Sequence, residues 1–508
     1  MKKTAIMIMV ITIASKMFGF LREIALSYFY GAAEITDVYL IALTISGTIC
    51  SFFFAAIANT FIPMYGRIEA EEGEEKANIF ASNLINIGVL ITLGLIVFVF
   101  LFTRPIVRIF AIGFDGEMLE MAISFTRVAM ISVVAASVLT VLIAYLHIKN
   151  RFAITELIGF PLNIAVIAAI VVSYRTNSGV LIWGTVAATF LQLMFVLPSV
   201  YKSGFRHKPV IRFKDKYIKE MLLLAMPVVI GTSVNQINTL VDRTLASSVA
   251  IGGISALSYA AKLNAVVQGI FVYSIVVVLY PSISKMASEG NLELLKNVVI
   301  KAVLAILLIV VPATVGFMVL ARPIVEIIFG QGAFDERAIV MTSGALVFYS
   351  IGMAAFGIQE VISRTFYAIQ DTKTPMLNGV KAVTINIILN LILSRFMGIY
   401  GLALATSIAA ITGSGMLIYE LRKKLGSIGL KELIKSTIKL SGASLIMGAA
   451  AYIIYIKLAA VTGMLIALIA AILIGILIYS VIVIFIKIPE VEEIVLQVRE
   501  RLVDRTKI

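Results

Sequence analysis

The sequence predicts an all-α polytopic membrane protein with about fourteen transmembrane helices: two six-helix lobes in parallel repeat, then two C-terminal helices. Three observations carry this. First, 60% of the 508 residues are hydrophobic, 14% are charged, and the mean hydropathy is +1.04; a soluble domain carries roughly 25% charged residues. Second, apolar stretches of about 20 residues, each long enough to cross the hydrocarbon core as a helix, recur along the whole chain. They lack the alternation of barrel strands. Third, a segment of the first half returns in the second at a fixed offset.

The expected spans run near 5–29, 36–65, 78–103, 118–148, 154–174, 178–201, 220–248, 253–284, 297–320, 337–368, 376–395, 399–420, 437–456 and 461–487. Lys2 and Lys3 before Thr4–Ser15 imitate a signal peptide. The apolar run continues past Lys16 toward Tyr30 without a small-residue cleavage site, so it reads as a retained first helix. Asp37, with Thr36 beside it, heads the second span. Several spans exceed 25 residues, so tilt or extension beyond the bilayer is expected. The last two are rich in Ala, Leu and Ile, carry almost no charge, and are expected to pack outside one lobe. The 488–508 tail reads as an amphipathic cytoplasmic helix.

Loop charge sets the orientation. The connections on one side, with both termini, carry 28 Lys and Arg; those on the other carry 7. The positive-inside rule places both termini in the cytoplasm. The net charge of +13 is therefore topological and does not point to nucleic acid. The densest basic stretch, Lys202–Lys219, reads as a long inner loop held against anionic lipid. One Cys excludes an intrachain disulfide framework, and two His with one Cys give no transition-metal cluster.

The repeat is specific. Arg104-Pro-Ile-Val-Arg-Ile-Phe returns as Arg322-Pro-Ile-Val-Glu-Ile-Ile-Phe, and Phe61-Ile-Pro63 as Leu279-Tyr-Pro281. Positions 104 and 322, like 63 and 281, lie 218 apart. Six spans fit in that offset, so the copies share an orientation; such transporters hold substrate where the repeats meet and alternate access by rocking. The expected division is 1–216 and 217–430 for the lobes, 431–487 for the extra helices, and 488–508 for the tail.

Charged residues inside apolar spans are costly and mark cavities or pathways. Arg22 and Glu23 are adjacent in the first span and point about 100° apart on a helix, so they are not expected to neutralise each other fully. They serve a polar cavity or lock helices together. Asp37 serves the same cavity or caps its own helix. Lys262 lies about ten residues into the eighth span, where snorkelling is awkward. Lys16, Arg22, Arg127, Arg243, Lys262, Arg364 and Lys381 outnumber the acids that might match them, which selects an anionic substrate such as a phosphate or diphosphate. Asn235, Gln236 and Asn238 precede Asp242 and suggest a wet face on the seventh span. Asp242, Asn386, Asn390 and Thr406 offer the hard oxygens of a sodium site, or hydrogen bonds between helices.

Three stretches carry a resemblance: FGFLREIALSYFYGAAEITDVYLIA at the start, NQINTLVDRTLAS with ISALSYAAKL in the middle, and QGAFDERAIVMTSGALVFYS with ISRTFYAIQDTKTP later. They resemble the MurJ/MviN family, the lipid II flippases of bacterial peptidoglycan synthesis, within the MOP exporter superfamily. The resemblance covers the first twelve spans. It implies two six-helix lobes in a V around a cationic cavity in the bacterial plasma membrane, with two further helices forming a groove for the undecaprenyl tail. It implies that Arg22, Glu23, Asp37 and Lys262 meet the substrate, and that no bond is made or broken, so the protein is not an enzyme. Arg22 falls on an essential arginine and Asp37 on an important aspartate of that family. Lys262 falls where the family usually has arginine, keeping charge without bidentate geometry. Ala261 replaces an acid often found there, and Cys50–Ala56 lacks an arginine and a Glu-Gly pair. Sodium is the implied coupling ion, lipid II the implied partner. Proteins of cell-wall elongation or division are candidate partners at the inner loops. Rival expectations are a flippase for another polyprenyl-diphosphate glycan, a cation-coupled multidrug exporter, which would need cavity acids, and an intramembrane glycosyltransferase, which would need a longer outer loop.

Overall fold

The computed structural model describes residues 2–427 and 429–486, and the expected tail helix lies outside them. The described residues pack as two compact units, one up to residue 255 with 331–335, the other over 256–330 and from 336 onward. The described residues contain helices and no strands.

The first unit holds α1 (Lys2–Tyr30), α2 (Glu34–Glu72), α3 (Glu74–Phe110), α4 (Gly116–Ile148), α5 (Phe152–Leu157), α6 (Gly159–Arg175), α7 (Gly179–Lys202) and α8 (Lys216–Val249). Helix α4 is central: α2, α3 and α7 pack against it. Helices α6 and α7 approach closely because Gly184 faces Ala169, where an added methyl would lie 2.2 Å from the alanine methyl. Helix α8 belongs to the second repeat by sequence, yet it packs on α2 and α3.

The second unit begins within α9 (Gly253–Val267), whose residues 253–255 belong to the first, and holds a π turn (Gln268–Val272), α10 (Tyr273–Ser288), α11 (Leu292–Val319), α12 (Ala321–Ile328), α13 (Glu336–Ile351), α14 (Met353–Ala368), α15 (Lys373–Met397), α16 (Ile399–Leu425), α17 (Leu430–Thr462) and α18 (Met464–Ile486). The pair α17–α18 packs on α11 and α12. The Tyr479 hydroxyl donates to Leu308 O at 2.8 Å, tying α18 to α11.

Among the described residues, eleven helices are long and apolar enough to cross a membrane, or twelve if α13 and α14 form one span bent by 43°. The sequence predicts fourteen. The two further expected spans coincide with α1 and α8, which are helical throughout. Two expected spans are interrupted. The fifth divides into α5 and α6 around Ile158, because Pro161 removes the N–H that would bond Leu157 O. The tenth bends at Gly352, whose N–H bonds Ser407 Oγ at 3.0 Å and whose missing side chain leaves room for Ser407 Cα. Helices α2 and α3 extend beyond the expected spans in the charged stretch EAEEGEEK and meet at Gly73, which has φ +87°.

The backbone repeats with the sequence. Helix α3 breaks at Phe102 (φ −110°, ψ 20°), three residues before Pro105. The chain breaks likewise between α11 and α12 at Leu320 (φ −104°, ψ 17°), three residues before Pro323. Positions 102 and 320 are again 218 apart. Pro63 inside α2 and Pro281 inside α10 share the same relation. Each proline forbids the bond from its own position to the carbonyl one turn back, so both copies kink where their sequences match.

Candidate functional site

Arg22 and Glu23 lie in the last two turns of α1 before Tyr30. Contrary to the angular expectation, the Arg22 guanidinium bends back and donates to Glu23 Oε1 at 2.7 Å. The arginine side chain keeps 27% of its surface exposed, while Glu23 keeps 7%. The carboxylate thus anchors one nitrogen of a planar five-donor fork that stays partly exposed. Gly19, one turn earlier, sits over Asn163 of α6 and allows α1 to lie close.

Asp37 is fully buried and does not cap its own helix. It accepts from Gly252 N–H at 2.8 Å, Ser255 N–H at 2.8 Å and the Ser255 hydroxyl at 2.7 Å. These are donors at the start of α9, where four N–H groups lack partners inside the helix. A carboxylate there also meets the positive end of the helix dipole. Thr36 turns the other way and donates to Gly31 O at 2.9 Å. Asp37 and Ser255 lie 218 apart, so this bond joins a residue to its own counterpart in the repeat. The offset, applied to Asp37, would have found Ser255 from sequence.

The cations divide by partner. Arg243 of α8 donates to Leu40 O of α2 at 2.8 Å and also reaches the Thr44 hydroxyl. Arg364 pairs with Glu360 at 2.9 Å. Arg127 of α4 bonds Thr103 Oγ1 at 3.2 Å and Phe100 O at 3.4 Å, beside the break in α3. Those three are structural ties, which corrects their reading as part of an unmatched buried set. Lys16, Lys262 and Lys381 are exposed on α1, α9 and α15.

The sodium donors fall in different units: Asp242 half-buried on α8, the others on α15 and α16. Asn390 Nδ2 donates to Asn386 Oδ1 at 2.8 Å, and Asn386 Nδ2 faces Thr406 Oγ1 at 3.4 Å. The Thr406 hydroxyl donates to Leu402 O at 3.0 Å. Asn386 Oδ1 is thus an acceptor within α15 and the Thr406 hydroxyl a donor within α16. The trio in this arrangement ties α15 to α16.

A hydrophobic chain of kinked parallel repeats with a charged pair on its first helix is a polytopic membrane protein with a MOP-type fold. A MATE multidrug resistance transporter of that superfamily, in an inward-facing conformation, superposes with TM-score 0.69 over 84% of this chain and 98% of its own, at 13% identity. The chain belongs to the MurJ family: the family described as "Lipid II flippase MurJ" matches residues 26–488. A probable lipid II flippase MurJ of Thermotoga maritima is 27% identical over 95% of this chain and 96% of its own length. One from Vibrio cholerae is 27% identical over 83% and 84%. A solved lipid II flippase MurJ, in an inward closed conformation, is 29% identical with TM-score 0.81, covering 94% of this chain and 98% of that one.

Proposed function

We propose that this protein moves lipid II, the undecaprenyl-diphosphate-linked peptidoglycan precursor, from the inner to the outer leaflet by alternating access. The observation that carries the reading is the family match over residues 26–488, nearly the whole described chain. No bond is made or broken. Work at the site is done by charge: the diphosphate competes with Glu23 for the Arg22 fork, and Lys262 is a further substrate-binding cation, carried by α9. A site already holding one carboxylate favours an anion that brings more negative charge than it displaces. The pair α17–α18 supplies apolar surface for the polyprenyl tail. Both termini lie in the cytoplasm, from the 28 to 7 imbalance of loop cations.

Complementation tests this. In a bacterium depleted of its own lipid II flippase, the wild-type chain restores growth, whereas Arg22→Ala at equal membrane level does not. Lys262→Ala weakens rescue. A properly inserted wild type that fails to rescue would assign the chain to another polyprenyl-diphosphate glycan. Full rescue by Arg22→Ala would remove the arginine from the site.

A further inference from the structure

The first unit contains a cavity that the proposed transport does not use. It lies over α4 between α3 and α7, has a volume of about 300 Å³, and is walled by Ile85, Val89, Val138, Leu142 and Leu197. Clefts that hold small ligands start near this size. The exposed Tyr201 and His207, with the buried Phe205, line its end, where the chain leaves α7 for the basic segment 203–215.

That segment is fixed by polar side chains of α3. Asn83 Nδ2 donates to Arg212 O at 3.1 Å while its Oδ1 accepts from Arg212 N–H at 2.7 Å. Asn86 Nδ2 donates to Lys208 O at 3.1 Å and Val210 O at 2.9 Å, and Ser82 Oγ accepts from Lys208 N–H at 3.2 Å. Irregular backbone beside an apolar layer needs such partners. Here they hold the segment at the cavity's end; His207 lines it, and the exposed Lys202 and Arg206 are chain neighbours of the lining residues Tyr201 and Phe205. Arg206 is pre-oriented by bonds to Tyr201 O (2.7 Å) and Phe205 O (3.0 Å), with its guanidinium 5.8 Å from the centre of the Tyr201 ring. Neighbouring acids are engaged: Glu75 with Lys208 at 2.6 Å, Glu74 with Lys149 at 2.8 Å.

An apolar slot under a cationic, aromatic rim matches an anionic amphiphile. We propose that this cavity binds an anionic glycerophospholipid, with part of one acyl chain between α3 and α7 and the phosphate at Lys202, Arg206 and His207. Placing the rim at the inner leaflet rests on the orientation proposed above; the binding itself does not.

The test uses the purified full-length protein in detergent, titrated with phosphatidylglycerol or with phosphatidylcholine of the same chains, and reads bound lipid by native mass spectrometry. One phosphatidylglycerol is retained about tenfold better than phosphatidylcholine. Val138→Trp fills the cavity and abolishes retention, and Leu197→Phe does so if the first variant melts early. The combined Lys202→Gln, Arg206→Gln, His207→Gln variant still takes up either lipid but loses the tenfold preference. Wild-type retention in both filled variants would overturn the site. So would glycerol phosphate binding as tightly as the lipid, or undecaprenyl phosphate displacing phosphatidylglycerol at equal concentration. A failed complementation assay would leave these outcomes unaffected.

Discussion

Asp37 shows how one residue changes meaning between sequence and structure. In sequence it is an acid at the head of an apolar span, equally readable as a cavity charge or a cap of its own helix. In the structure it satisfies three donors at the start of α9, more than two hundred residues away. Asp37→Ala leaves those buried donors unpaired, at about 1–3 kcal/mol for each group not reached by water. The variant is expected to unfold at clearly lower temperature in detergent, with Asp37→Asn falling between it and wild type. An unchanged melting temperature for Asp37→Ala would show that the cap is not formed in solution. Arg22 is a partly exposed guanidinium beside a buried carboxylate, with donors to offer beyond the one Glu23 takes.

At the level of elements, the two copies of the loop after the kinked helix make matching contacts. Gly113 N–H bonds Ser247 Oγ near the end of α8 at 3.2 Å, and Ala333 N–H bonds Tyr28 O near the end of α1 at 2.8 Å. Gly332 has φ +67° and an added methyl would lie 2.2 Å from Tyr28 O. Gly332→Val therefore faces both a strained backbone and a backbone clash, and is expected to free this loop. A protease site placed at residue 331 would then be cut faster than in wild type; equal protection would contradict the contact. The turn before α15 offers a pH test outside the spans. Burial pushes the Asp371 carboxyl up, but the Lys424 ammonium and the Thr374 hydroxyl and N–H outweigh it and hold Asp371 down to about 2. A depressed carboxylate stabilises the fold above its unfolded value near 3.8, and that contribution is lost as pH falls toward 2. Asp371→Asn should flatten the fall in melting temperature over that window; an identical acid profile would count against the pairing.

For the whole molecule, orientation is the property most directly testable. Cys50 is the single cysteine and is buried, so a Cys50→Ala background lets single cysteines report sidedness. A cysteine at Lys285 should react with an impermeant thiol reagent only after the cytoplasmic face is opened, and one at Lys457 in intact spheroplasts. The reverse pattern would invert the topology.

Hydropathy alone determined that the chain is a bundle of membrane-crossing helices, because any stretch that long and apolar must satisfy its own backbone in lipid. The repeat was equally legible: proline and its flanks fix local backbone, so equal sequences 218 residues apart kink alike. Loop cations set the expected orientation for the same local reason. Tertiary structure alone decided the partners of the charges. Arg22 folding onto Glu23, Arg243 clasping α2, Asp37 capping α9 and the asparagines of α3 pinning the 208–212 backbone are outcomes of packing. Most of these contacts span more than a hundred residues of chain, and helical periodicity reports which face a residue occupies, never which distant group will meet it there.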